Sequence, residues 1–187
     1  WRWWPGLVDA TAAGGDLARR GCDAAPALSS VQDWLDVDHP DLPSAVEAAA
    51  GRSSTGVRIP TRNERALPGR QSMIGVHRHL CSAGYVPLYD CGAPVSARPA
   101  RSLLADDRIV PTLCVAARAD AINRLLPVLS WLDREFGRNT VRETAVVVCH
   151  QEYTDHPAAA GHLRGHLGDW IRGVFEIPYD AHLATGG

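Results

Sequence analysis

The sequence contains no lysine: all 19 of its basic residues are arginine, so lysine-based chemistry is excluded within this chain. It also lacks a charge excess, because 21 acidic residues leave a net charge of -2. The arginines are scattered among acids, as in Arg19-Arg20 followed by Asp23 and in Asp106-Asp107-Arg108. No basic footprint for nucleic acid is therefore visible. No apolar run approaches the roughly 18 to 20 residues needed to span a bilayer, and no membrane anchor is seen. The five cysteines are odd in number and show no CxxC spacing. With no cleavable signal ahead of them, they imply a reduced, cytoplasmic setting with mostly buried thiols.

What is present describes a globular chain. Its 187 residues are 45% hydrophobic and 21% charged, enough for one domain of ordinary size spanning 1–187. The first residues, Trp1-Arg2-Trp3-Trp4-Pro5, carry no initiator methionine, and the last are Gly186-Gly187. Both ends read as cuts in a longer protein.

Apolar runs alternate with amphipathic stretches. Leu7 to Ala10 stops at a glycine-rich turn, and Asp16 stands as the N-cap of a helix from Leu17. Trp34-Leu35 and Ala45 to Ala50 suggest short helices, Val57 to Ile59 sits among loop residues, and Arg70 to Gly84 reads as a helix. Strands are expected over Tyr85 to Asp90, Ile109 to Ala116, Thr144 to Cys149 and Gly173 to Ile177. Between them, helices are expected near Arg98 to Leu104, Ile122 to Phe136 and Ala158 to Trp170. In the second of these, Ile122, Leu125, Leu126, Leu129, Leu132 and Phe136 recur at helical spacing as one buried face. The strands TLCVA and VVVC are apolar throughout, as when helices cover both faces. The expected fold is α/β, a three-layer doubly wound, mostly parallel single sheet.

Ligands of such sheets sit at strand carboxyl ends. Asp9, Asp90 and Asp180 each close an apolar run, and the expectation is that they and Thr11 share one rim. One aspartate in a βα turn is commonplace. Three with the flanks LVDATAAGGD, LYDCGAP and FEIPYDAHL are more specific.

These segments resemble the ParA/MinD family of P-loop ATPases, over nearly the whole chain and most diffusely between Cys22 and Gly69. Asp9 matches the family's first acidic position, Gly14-Gly15-Asp16-Leu17 match the loop and helix start, and Thr11 replaces a second aspartate. That carboxylate helps position the attacking water or the magnesium shell, and Thr11 offers only a hydroxyl. Asp90 and Gly92 match the positions that hold magnesium through water and sense the γ-phosphate. Pro87, in a strand expected at the sheet centre, departs from the pattern because proline gives the ladder no N–H. The resemblance implies a base site made by His150 and Gln151, in place of the usual asparagine, with Pro178, Tyr179 and Asp180. It implies ATP and Mg2+ as cofactors, a homodimer closed by nucleotide, and a protein partner of partition or secretion type. The family's lysine-bearing phosphate loop, which lies upstream of the first segment, has no counterpart here. Two functions follow as expectations: an ATPase of partitioning or positioning type when intact, or a pseudo-ATPase that binds partners without turnover.

Other chemistry is poorly supported. His162 and His166 share a helix face near His156, but Leu163-Arg164 stand between them instead of the acid of HExxH. His77, His79 and Cys81 are expected not to converge. There is no GxSxG, and Cys91 adjoins Asp90, which raises its pKa.

Overall fold

The computed structural model describes residues 4–11, 15–23, 29–63, 65–67, 72–152 and 159–181. The expectations placed on Gly14, Arg70, His156, Ala158 and residues 182–187 lie outside them. The chain divides into two compact units, Trp1–Asp106 and Asp107–Gly187.

In the first unit, β1 (Trp4–Asp9) leads to the short α1 (Leu17–Gly21), α2 (Val31–Leu35) and α3 (Pro43–Ala49). A hairpin of β2 (Ala50–Arg52) and β3 (Arg58–Pro60) follows, then α4 (Met73–Ser82), β4 (Tyr85–Asp90) and α5 (Arg98–Leu104). Local chemistry sets these boundaries. Asp16 occupies the N-cap position of α1 without a side-chain capping bond. At α2, Ser30 and Asp33 satisfy each other's backbone N–H in a capping box, which stabilises a helix too short to persist by propensity. Met73, Val76 and Leu80 recur at helical spacing and form the buried face of α4. The strand order is β2-β3-β1-β4, with β1 parallel to both neighbours and β2 antiparallel to β3. The loop reading around Val57 to Ile59 thus gives way to a strand, β3, that lies between β2 and β1. It is held by an antiparallel partner that sequence periodicity over three residues cannot reveal.

The second unit carries β5 (Thr112–Ala116), α6 (Ala119–Ile122), α7 (Leu125–Phe136) and α8 (Arg138–Glu143). Then come β6 (Ala145–Cys149), α9 (Ala159–Leu167) and β7 (Gly173–Ile177). Its strands run parallel in the order β5-β6-β7. The single helix expected over Ile122 to Phe136 is divided at Asn123-Arg124. Pro127 explains the break, since it has no N–H for the carbonyl of Asn123 and its ring would clash there; within the first turn of α7 that N–H is not needed. Leu125, Leu129 and Leu132 are buried as expected, whereas Leu126 is exposed.

The α/β architecture with parallel sheets and flanking helices is as expected, but the ladder is not continuous. The strands expected in one sheet form a four-stranded and a three-stranded sheet, ending at β4 and β5 respectively. Pro87 is consistent with this: β4 is an edge strand rather than a central one, and the edge is where a strand tolerates proline. No helix among the described residues is long and apolar enough to cross a membrane.

Candidate functional site

Asp9 and Asp90 are register partners at the carboxyl ends of the adjacent parallel strands β1 and β4. The Ala10 N–H donates to the Asp90 carbonyl at 2.7 Å and extends the ladder one step beyond them. The two aspartates therefore share one rim, together with Thr11, but their side chains are used differently.

Asp9 is only 4% exposed. Its Oδ1 accepts the Thr11 N–H at 3.0 Å and the Thr11 hydroxyl at 2.7 Å. On its other side the chain passes so close that a Cβ on Gly15 would lie 1.9 Å from Oδ2. Glycine at that position is what lets the loop into α1 cross the carboxylate. The Arg62 Nη1 donates to the Thr11 carbonyl and, at 3.3 Å, to the Asp9 carbonyl. Burial pulls the Arg62 guanidinium below its ordinary value, and the nearby Asp9 charge opposes that shift. Asp9 and Thr11 thus form a closed local network that organises the loop.

Asp90 is exposed, and its Oδ1 accepts the Gly92 N–H at 3.0 Å. Gly92 adopts φ +58°, a conformation that favours glycine, and a Cβ there would meet the Thr11 Cγ2 at 2.9 Å. The turn after β4 therefore packs on the loop after β1, which explains why Gly92 accompanies Asp90. Between them, burial and then the Asp90 charge push the Cys91 thiol up, so Cys91 is a poor nucleophile.

Magnesium prefers oxygen ligands and retains several waters. Asp90 fits such an ion, because its carboxylate is exposed and Oδ2 has no hydrogen-bond partner among the described residues. No group of three or more His, Cys, Asp or Glu among the described residues could hold a metal by itself. A cation at this rim would rest on Asp90 together with water and phosphate oxygens.

In the second unit the residues expected at a base site lie just past β6 and β7. The His150 N–H donates to the Ile177 carbonyl at 3.0 Å, and its Nε2 lies 3.3 Å from Glu176 Oε1. Arg164 on α9 donates Nη2–H to Glu176 Oε2 and Nε–H to the Val174 carbonyl, both at 3.2 Å. Hydrogen bonding from His150, with the Arg164 guanidinium beside it, holds the Glu176 carboxyl below its ordinary value. Gln151, Pro178 and Asp180 are exposed and Tyr179 is half-buried. Asp180 lies three residues past the carboxyl end of β7.

Sequence reasoning missed Arg62, Glu176 and Arg164. Arg62 follows β3, whose strand character was not legible, and Glu176 lies inside an apolar run. Arg164 stands out in the sequence only as one of the two residues that replace the acid of HExxH between His162 and His166. Those two rings do stack, with centroids 4.1 Å apart, and the His166 Nδ1–H donates to the His162 carbonyl at 2.9 Å.

No protein-family model matches the sequence, and no curated protein is similar to it in sequence. Among solved structures, the chain is similar to the crystal structure of a ParA family ATPase from Chlorobium tepidum TLS. The TM-score is 0.69 and the sequence identity 14%, over 98% of this chain and 75% of that one. At that identity the likeness carries the fold alone: a mixed α/β fold with parallel sheets flanked by helices, similar to that of the ParA family ATPase.

Proposed function

We propose that the chain is the body of a ParA-like nucleotide switch, with the rim formed by Asp9, Thr11, Asp90 and Gly92 as its phosphate and magnesium side. The observation that carries the proposal is the in-register pair Asp9 and Asp90, locked loop to loop through Thr11 and Gly92. A chain with a ParA-like fold supports it. In this reading Asp90 orients the water shell of a magnesium ion, which neutralises phosphate charge when bound. The Gly92 turn responds to the terminal phosphate, and Asp9 with Thr11 fixes the loop opposite. His150, Gln151, Pro178, Tyr179 and Asp180 border the base. Nucleotide binding closes a homodimer that works in partitioning or positioning with a protein partner.

The absence of lysine bears directly on this function. An ATP tail carries several negative charges, and a helix N-terminus offers only about half a positive charge. The proposal therefore assigns phosphate binding to a lysine-bearing loop outside residues 1–187. A second reading, a pseudo-ATPase that binds partners without turnover, is favoured by one observation. Thr11 stands where a second carboxylate is expected, and its hydroxyl is already committed to Asp9.

Titration calorimetry and phosphate release decide between these readings. Residues 1–187 are expected to bind Mg-ATP weakly or not at all, and a longer product with the upstream loop is expected to bind it. Binding with turnover supports the ATPase, binding without turnover the pseudo-ATPase. Micromolar binding by residues 1–187 alone would refute this assignment of the phosphate site.

A further inference from the structure

His162 and His166 on α9 are four residues apart, so they share a helix face, and both are exposed. Their ring centroids lie 4.1 Å apart with the planes tilted by 38°. Two imidazoles on one ion, each bonded at about 2.0–2.1 Å, have ring centres about 4.5–5 Å apart, so this pair need open by less than about 1 Å. The tautomer of one ring is also set. His166 Nδ1 lies 2.9 Å from the His162 carbonyl, which can only accept. Nδ1 therefore carries the proton, and the lone pair of the neutral ring falls on Nε2. Ligating histidines are fixed in this way, by an acceptor on the nitrogen that does not hold the metal.

Arg164 stands between the two in sequence, and its charge on their face would repel a cation. The helix turns it away: Arg164 lies about 160° around the axis from both histidines. Its Nη2 donates to Glu176 Oε2 and its Nε to the Val174 carbonyl, so the charge is tied to a carboxylate on β7. The other close donor pair, His77 and Cys81 on α4, is arranged differently. There the sulfur lies 3.5 Å from Nε2 and 3.9 Å from Nδ1, over the ring and not on a nitrogen lone pair.

We propose that His162 and His166 form a surface site for a divalent transition-metal ion such as Ni2+ or Zn2+. The ion is held by one nitrogen of each ring, Nε2 in the case of His166, and water completes its coordination. Imidazole suits these ions, whereas Mg2+ takes oxygen ligands. The site is therefore chemically separate from the magnesium proposed at Asp90, and it does not depend on the nucleotide reading.

The test is titration calorimetry with Ni2+, at neutral pH in a non-coordinating buffer, on residues 1–187 and four variants: His162→Gln, His166→Gln, the double variant and His39→Gln. His39 is another exposed histidine and serves as the control. Each single α9 variant should weaken Ni2+ binding at least about tenfold, because the second nitrogen is no longer held at high effective concentration. The double variant should lose little more, His39→Gln should bind as the parent does, and excess Mg2+ should not displace the ion. Glutamine is a good helix former, and circular dichroism checks that the variants stay folded. A readout that needs no variant is nuclear magnetic resonance of the parent: paramagnetic Ni2+ should broaden the ring-proton signals of His162 and His166 before those of the other histidines. Parent binding no tighter than that of the double variant, a folded single variant that binds like the parent, or broadening that begins at other histidines would overturn the proposal.

Discussion

Among the individual residues, the half-buried Glu47 gathers side-chain hydrogen bonds from three separate strands. It accepts from Arg58 Nε at 2.5 Å, from the Tyr85 hydroxyl at 2.7 Å and from Arg52 Nη2 at 2.7 Å. Arg58 is nearly buried, at 8% side-chain exposure, so it depends on Glu47 for its counter-charge. Burial pushes the Glu47 carboxyl up, but the three hydrogen bonds together outweigh it and hold the group at about 2. A depressed value stabilises the fold above the ordinary carboxyl range and loses that stabilisation as the pH falls. Here the contribution is complete above 4.5 and disappears toward 2. Glu47→Gln leaves Arg58 buried without a counter-charge and should cost about 3 kcal/mol at pH 7. Urea unfolding at pH 7 and pH 3 checks both parts: the gap between parent and variant should narrow at the lower pH. A gap that stays constant would show that the ion pair is not its origin. None of this network was legible in the sequence, because Glu47, Arg58 and Tyr85 come from α3, β3 and β4 and meet only when those elements pack.

The elements that sequence pattern identified well are those whose ends are marked locally. The strands β4 and β7 and the helix α5 fall at their expected bounds, each stopped by turn chemistry or an apolar run that ends cleanly. The hairpin of β2 and β3 was missed, since three-residue strands leave no periodicity to read. The α6 and α7 break was missed because the leucine spacing continues through it while Pro127 interrupts only the backbone. The consequence is measurable. Leu132 is fully buried on α7 and Leu126 is 57% exposed, although the heptad-like spacing placed them on one face. Leu132→Ala should cost about 3 kcal/mol, as for a large-to-small change in a packed core. Leu126→Ala should stay within about 0.5 kcal/mol, as for an exposed position. Thermal unfolding of the two variants distinguishes the faces, and equal losses would put Leu126 back into the buried stripe.

At the scale of the whole chain, the α/β class and the shared rim of Asp9 and Asp90 were readable because strand ends and turn residues leave local signatures. How the strands divide into sheets was not, since pairing partners are a long-range property. That division has a further physical consequence. Parallel sheets are normally covered by helices on both faces, yet each sheet has apolar side chains facing solvent. In the first, the register pairs Pro5 with Val86 and Leu7 with Leu88, which puts these four on one face, and Leu88 is 65% exposed. In the second, Cys114, Val147 and Phe175 align across the three strands, with Ile177 two residues on from Phe175, and Phe175 is 54% exposed. Contiguous apolar surface of this kind binds apolar ligands and promotes association. Residues 1–187 should therefore bind anilinonaphthalene sulfonate in the folded state. Leu88→Ser together with Phe175→Ser should lower that fluorescence at least about twofold, while stability changes by only about 0.5 kcal/mol per site, as expected where little packing is lost. A parent that binds no dye, or a double variant that binds as much, would mean that these faces are covered in solution.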